Sequence, residues 1–371
     1  MKNKSINPHS RSLILIAPLP PPIHGFSLIM SRLATYLERP QGFSGWTVMR
    51  CNVASSRRCA LLKHVSQVRR NGLALIKILF NRSASHVVIG VNGGWGGWYT
   101  LLHVLACRFA NKRAILHHHS YGYINSKKVV MQLVSWALHF DRGAHVFLSD
   151  AHMDDFVNVY PASLRGNAFS VSNLPFLELK PNRQPVEMGR GAIIRVGFLS
   201  NLCAAKGILE FLRLAERLAT KSEDLEFFVA GPFSEKGIAA DVSRLEHAGL
   251  LSYLGPVYGE EKSAFFDSLD LFVFPTNYLN EAQPVVIYEA LASGVPVVSY
   301  LKGCIRDQLD TGITAVDSGF ENLLSAVTRA IEDIRGLKCD SGRRLDIKKS
   351  LVAMLKKKER ESVATLRELY G

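Results

Sequence analysis

Two carboxylates, Glu281 and Glu289, stand eight residues apart in NEAQPVVIYEALASGVPVVS (280–299), on either side of a short apolar run. In a chain of formal net charge +13 such a pair calls for an explanation. Further upstream, SNLCAAKG (200–207) sets Lys206 beside the start of an expected helix. A lysine together with a helix N-terminus makes a phosphate site, because the aligned peptide dipoles favour negative charge there. The loop PPPIHGFS (20–27) offers the same chemistry more weakly: Gly25 lets backbone approach a ligand and a helix follows, although an ordinary loop reads equally well.

Other candidates narrow the chemistry. In HHHS (117–120) neighbouring strand residues point to opposite faces, so three adjacent histidines cannot share one metal. His119 is the one expected to face a cleft as a hydrogen-bond donor; the competing reading is a satisfied structural histidine. NGGWGGW (92–98) fails the G-x-G-x-x-G dinucleotide pattern, because Tyr99 stands where the third glycine belongs. It is left as a tight turn, near a ligand or merely structural. The six cysteines form no Cys-x-x-Cys pair, which points to thiols in a reducing compartment and to no zinc site.

These residues need a scaffold that alternates strands and helices. With 371 residues and about 150 per domain, two or three domains are expected. LILIA (13–17), HVVIGV (86–91), AILHHH (114–119), HVFLS (145–149) and FSVSNLP (169–175) read as strands, separated by helices over 27–37, 98–110 and 126–140 and a short one after 149. After a polar, proline-containing linker at 179–190, the pattern restarts with IIRVGFLS (193–200), LEFFVAG (225–231), LSYLG (251–255), LFVFPT (271–276) and PVVSY (296–300). Helices are expected over 208–218, 235–249 and 260–269, and a lysine-rich helical tail over 342–371. The rhythm predicts an α/β protein with two Rossmann-like domains, 1–178 and 191–350, and a final helix, 351–371. Ligands in such sheets sit at the carboxyl ends of the strands, so two such ends facing each other across a cleft are expected to build a site for two substrates.

Charge is split between the halves. Residues 1–180 hold 21 Lys+Arg against 6 Asp+Glu, a net of +15, and the remainder holds 45 − 21 = 24 against 32 − 6 = 26, a net of −2. Between Glu38 and Asp141 there is no acid, but there are 14 bases. Such a field implies an anionic partner: nucleic acid, lipid surface or phosphorylated substrate. Within it, Leu61, Val65, Val68, Ile76 and Leu79 line one side of a helical stretch at 55–80, with Lys63, Arg70 and Lys77 roughly opposite. Either this helix lies on an anionic bilayer, or the apolar side faces the core and the basic side faces water. No aromatic-basic interleaving or recognition helix speaks for nucleic acid. Leu13–Ala17 is too short for a signal segment and no stretch reaches the roughly 18 apolar residues of a membrane span.

The segment Glu281-x7-Glu289 followed by ALASGVPVVS resembles the donor-site motif of retaining glycosyltransferases of the family 4 type, which have the GT-B fold. Lys206-Gly207, Gly231 after LEFFVA and Gly255 before VYGEE agree with it, so the resemblance covers 193–310 firmly. The first half matches only through its glycine loop and His119. The resemblance implies two Rossmann-like domains across a cleft, with the last helix crossing back. It implies a nucleotide sugar, UDP- or GDP-linked, as donor, with no further cofactor and no metal. Glu281 and Lys206 would be catalytic together with His119: Glu281 accepting from donor-sugar hydroxyls, Lys206 neutralising the departing diphosphate. Glu289 would grip the ribose, and backbone N–H groups from Ala282 through Gln283 and Pro284 to Val285 would face the diphosphate. Gly25 and Asn201 complete the expected donor site. Asn201 stands where an arginine is usual, and Ala282–Val285 replaces the usual Gly-Phe-Gly-Leu. The implied acceptor is a lipid-linked sugar or polysaccharide, held by a basic N-terminal domain at the inner membrane face, with an anionic membrane rather than nucleic acid as the large partner. The rivals are a GT-B nucleotide-sugar epimerase or hydrolase, a basic nucleic-acid-binding protein and an inactive scaffold.

Overall fold

The computed structural model describes residues 11–21, 25–39, 45–55, 59–91, 93–139, 143–161, 167–179, 193–308, 313–338 and 341–371. The chain divides into two compact units, Met1–Leu177 with Glu359–Gly371, and Glu178–Lys358. The linker expected at 179–190 lies, from residue 180 on, outside the described residues.

The first unit runs β1 (Ser12–Ala17), α1 (Gly25–Glu38), β2 (Thr47–Asn52), α2 (Ala60–Phe80), β3 (Ala84–Val91), α3 (Gly96–Phe109), β4 (Arg113–His118), α4 (Gly122–Asn125), α5 (Val129–His139), β5 (Ala144–Phe147), α6 (Asp150–Val159) and β6 (Ala168–Ser170). Its sheet is parallel, in the order β2-β1-β3-β4-β5-β6. Strands such as β1 and β5 are buried almost throughout, which is why they read as continuous apolar runs. From β3 to β6 each strand lies one place further along the sheet. Right-handed crossovers then put α3, α5 and α6 on one face, beside α2, and α2 packs on α3 and α3 on α5. The Ser149 side chain caps α6 by accepting from the His152 N–H at 3.2 Å.

In this unit the expected elements differ from the observed ones in three places. The helix expected at 126–140 begins only at Val129, as α5, and a four-residue helix, α4, comes before it. Ser126 between them is extended, and the Lys128 N–H donates to the Tyr160 hydroxyl at 2.9 Å, outside any helical ladder. The strand expected over 169–175 stops at Ser170 and gives way to a 3₁₀ turn at 174–176. β2, TVMRCN, was not expected: it is an edge strand, mostly half-exposed, with Arg50 in it.

The second unit runs β7 (Ile194–Leu199), α7 (Ile208–Ala219), β8 (Leu225–Ala230), α8 (Ile238–His247), β9 (Ser252–Tyr253), α9 (Gly259–Asp267), β10 (Leu271–Phe274), α10 (Val285–Ala292), β11 (Val297–Tyr300), β12 (Ile313–Val316) and α11 (Phe320–Lys338). The sheet order is β12-β11-β10-β7-β8-β9, again parallel. β7 has β8 on one side and β10 on the other, so the order reverses there. Loops leaving the carboxyl ends of β7 and β10 flank that switch point.

The last helix, α12 (Ser341–Tyr370), belongs to the second unit through Lys358 and to the first from Glu359. Its end is built into the first unit's core. Tyr370 is 1% exposed, its hydroxyl lies 2.7 Å from His117 Nε2, and its carbonyl accepts from the Trp46 indole at 3.1 Å. Ser362 and Ser172 pair through their hydroxyls at 2.8 Å.

Candidate active site

The site in the second unit begins with a glycine. Gly207 sits at φ +88°, and a Cβ there would fall 2.1 Å from the Pro275 carbonyl oxygen. Only glycine permits that approach, so the loop after β7 lies directly against the loop after β10. The Asn277 N–H fastens the contact by donating to Ala205 O at 2.9 Å. Lys206, in the turn just before Gly207, is thereby aimed at Glu281: Nζ donates to Oε2 at 2.6 Å. The same oxygen accepts from the Thr276 hydroxyl at 3.1 Å, and the Lys206 ammonium sits 4.6 Å from the Tyr278 ring centroid. The Glu281 side chain is 9% exposed, so this carboxylate is buried and paired, not solvated.

The backbone of Glu281 is clamped from the other side. Gly303 has φ +51°, and a Cβ there would meet Glu281 O at 2.3 Å. The Cys304 N–H donates to Ala282 O at 2.7 Å. Ala282 and Gln283 are buried, and Pro284 leads into α10 with no side-chain cap. The expectation that N–H groups run unbroken from Ala282 to Val285 is corrected here: Pro284 has no N–H, so donors at this helix start can come only from Ala282, Gln283 and Val285.

Glu289 lies in the second turn of α10 and pairs with Lys262 of α9 at 2.5 Å. Lys262 was not singled out from the sequence. It stands 27 residues before Glu289, a separation with no helical or strand meaning, and only the packing of α9 on α10 joins them. Nearby, Gly231 at φ +126° would place a Cβ 1.8 Å from Ser200 O, so the loops after β7 and β8 also touch through a glycine. Its N–H donates to Gly255 O at 2.8 Å. Asn201 is exposed in the same loop and its carbonyl accepts from the Ser200 hydroxyl at 3.0 Å.

Of the expected residues, Lys206, Glu281, Ala282, Gln283, Pro284, Val285, Glu289 and Asn201 belong to the second unit, and Gly25 and His119 to the first. Gly25 opens α1; residues 22–24 of its loop lie outside the described residues. His119 follows β4 and packs on Phe26, ring centroids 4.9 Å apart. Burial pushes its pKa down to about 3, so it is a neutral imidazole at pH 7. The adjacent histidines diverge as alternation requires. His117 meets Tyr370, while His118 is held in the core between the Tyr123 hydroxyl at 2.8 Å and His145 at 2.9 Å. Among the described residues no cluster of His, Cys, Asp and Glu is arranged to hold a metal ion. The glycine-rich 93–98 segment has a packing role: a Cβ on Gly97 would come within 2.8 Å of Val130, so glycine there lets α3 close on α5; Asn92 is outside the described residues.

The second unit thus holds two carboxylates, each neutralised by a lysine, around the start of a helix at a sheet switch point. Residues 193–333 match the family model described as glycosyl transferases group 1. Solved structures match over nearly the whole chain. Anabaena Alr3699/HepE in complex with UDP aligns with TM-score 0.69 at 14% identity, covering 97% of this chain and 98% of its own. A glycosyltransferase from Rickettsia africae ESF-5 gives 0.67 at 11% identity, covering 98% of each. The lipopolysaccharide outer core galactosyltransferase WaaB, in apo form, gives 0.64 at 12%, covering 95% and 99%. At such identities the likeness establishes the fold, which is GT-B, with two Rossmann-like units. No curated protein matches the chain by sequence.

Proposed function

We propose that the protein is a retaining glycosyltransferase of the family 4 type, moving a hexose from a nucleotide-diphosphate donor to a lipid-linked or polysaccharide acceptor in cell-surface polysaccharide synthesis. The observation that carries this reading is the contact between Lys206 and Glu281 beside the start of α10, with Glu289 one helix turn further on. Lys206 is placed to neutralise charge that develops on the departing diphosphate, and the dipole of α10 acts on the same group. Glu281 accepts from donor-sugar hydroxyls and Glu289 from the ribose. Each carboxylate already holds a lysine, so donor binding means sharing or exchanging that partner. The acceptor attacks from the face the diphosphate leaves, with no covalent nucleophile, and the anomeric configuration is kept. Lysine and helix dipole take the place that a metal ion holds in other transferases. His119, as a neutral imidazole, can donate or accept one hydrogen bond without carrying charge.

The relatives in the fold favour a uridine nucleotide, since the Anabaena protein was solved with UDP and with UDP-glucose. A match to lipopolysaccharide outer core synthesis in another relative supports the acceptor class. The test is a thermal-shift panel of UDP, GDP, ADP, CMP and NAD on the native protein and on Glu289→Ala. A nucleoside diphosphate that stabilises only the native protein supports the site and names the base; no stabilisation by any diphosphate sinks it. Donor consumed at full rate without acceptor would make the protein a hydrolase, and an inverted product would remove the retaining assignment.

A further inference from the structure

We propose that the outer faces of α2, α3 and α5 form one docking surface that lies in the interfacial layer of a bilayer containing anionic phospholipid. The proposal stands on the first unit alone and is independent of the donor site. On α2 the apolar stripe points away from the core: Leu61 is 71% exposed, Val65 and Val68 58% each and Ile76 54%, whereas the inward side is Asn71, Ala74 and Ile78. The core-facing alternative for this stripe is therefore excluded. α3 repeats the pattern with Trp98, Leu102, Leu105 and Phe109, all exposed at helical spacing, and Trp95 just before it. α5 repeats it again with Val129, Leu133 and Trp136.

Single exposed apolar residues are ordinary, but three adjoining helices that each turn a large apolar stripe outward are not. α2 packs on α3 and α3 on α5, so the stripes adjoin. Three of the chain's four tryptophans are on this face, and tryptophan favours the depth where headgroups meet acyl chains. Charge selects the occupant. The face lies within the acid-free span between Glu38 and Asp141, and exposed Lys63, Arg69, Lys77, Arg108, Lys127 and Lys128 belong to the same three helices or adjoin them. A second copy of the chain would set this positive field against itself, because a two-fold interface pairs a patch with its own image. An anionic bilayer complements it, burying the apolar stripes while lysine and arginine reach the headgroups. Among the described residues no helix is long and apolar enough to cross a membrane, so the face lies on the bilayer.

The experiment uses the full chain with vesicles of phosphatidylcholine alone and of equal parts phosphatidylcholine and phosphatidylglycerol, read by co-sedimentation and by tryptophan emission. The native protein is expected to sediment with the mixed vesicles and to shift its emission to the blue. Trp98→Glu with Trp136→Glu, both at exposed positions, should abolish sedimentation while circular dichroism stays native. Lys63→Gln, Arg69→Gln and Lys77→Gln together should weaken it by about fivefold per base removed. A native protein that stays in solution with both vesicle types overturns the proposal. So does sedimentation unchanged in the tryptophan variant. A dimer dispersed by Trp98→Glu with no vesicle binding also overturns it, making the face a self-interface.

Discussion

Lys206 and Glu281 are 75 residues apart in the sequence, yet Nζ and Oε2 lie 2.6 Å apart between two loops that glycine alone allows to touch. Lys206→Ala is expected to reduce donor turnover by about a hundredfold or more, the scale of losing one preorganised charge at a transition state. It should also destabilise the protein by about 3 kcal/mol, because a buried carboxylate loses its counter-charge. Adding Glu281→Gln should return part of that stability and none of the activity. Denaturation midpoints and turnover of the four members of the cycle check this; strictly additive stabilities would show that the two groups do not depend on each other.

Gly303 offers a test that leaves every functional side chain in place. Gly303→Ala forces a Cβ against the Glu281 and Ala282 carbonyls at a left-handed φ. The conformation alone costs about 1–2 kcal/mol, and the clash must move the backbone that carries Glu281. Gly249→Ala is the control: its φ is +70° but nothing lies within 4 Å of the added methyl. Both variants should melt earlier, and only Gly303→Ala should lose stabilisation by nucleotide. Equal nucleotide response in the two would mean that the clamp on Glu281 does not matter for binding.

Acid should unfold the first unit before the second. Burial pushes His117, His119, His145 and His152 down to about 3, and His86 and His103 to about 4. These folded-state values lie below the ordinary 6.5, so the unfolded chain binds protons that the native chain refuses. The resulting stability is intact above about pH 6.5 and is lost as the pH falls from there toward the depressed values. For the most buried of them the loss is roughly 1.4 kcal/mol per pH unit each. The second unit has one histidine, His247, which is exposed. All four tryptophans, 46, 95, 98 and 136, belong to the first unit, so their emission reports on it alone. The denaturation midpoint by tryptophan emission should fall clearly between pH 7 and pH 5; a constant midpoint would contradict the burial of neutral imidazoles.

The alternation of strands and helices was legible because interior parallel strands, covered on both faces, are apolar over most of their length: LILIA, VVIGV and VGFL could be little else. The edges were not. β2 and β12 end their sheets, are half in water and carry no such run, and β6 and β9, also at edges, are shorter than their sequences suggested. In the candidate site, Lys206 stood out by its place before a helix start and the Glu281/Glu289 pair by its spacing, but only the family resemblance assigned the two carboxylates a role. Lys262 did not stand out, since it reaches Glu289 only through tertiary packing. Periodicity likewise revealed the apolar stripe of α2 but not its direction. A repeat of 3.6 residues fixes which side chains share a face and leaves open whether that face meets core or water.

The placement of Tyr370 has a consequence for how the molecule is made. The first unit needs residues 359–371: Tyr370 fills its core, holds His117 and receives the Trp46 indole. Those residues leave the ribosome only after every residue of 178–358. The unit that is synthesised first is thus completed last, with its core open while the second unit is being made.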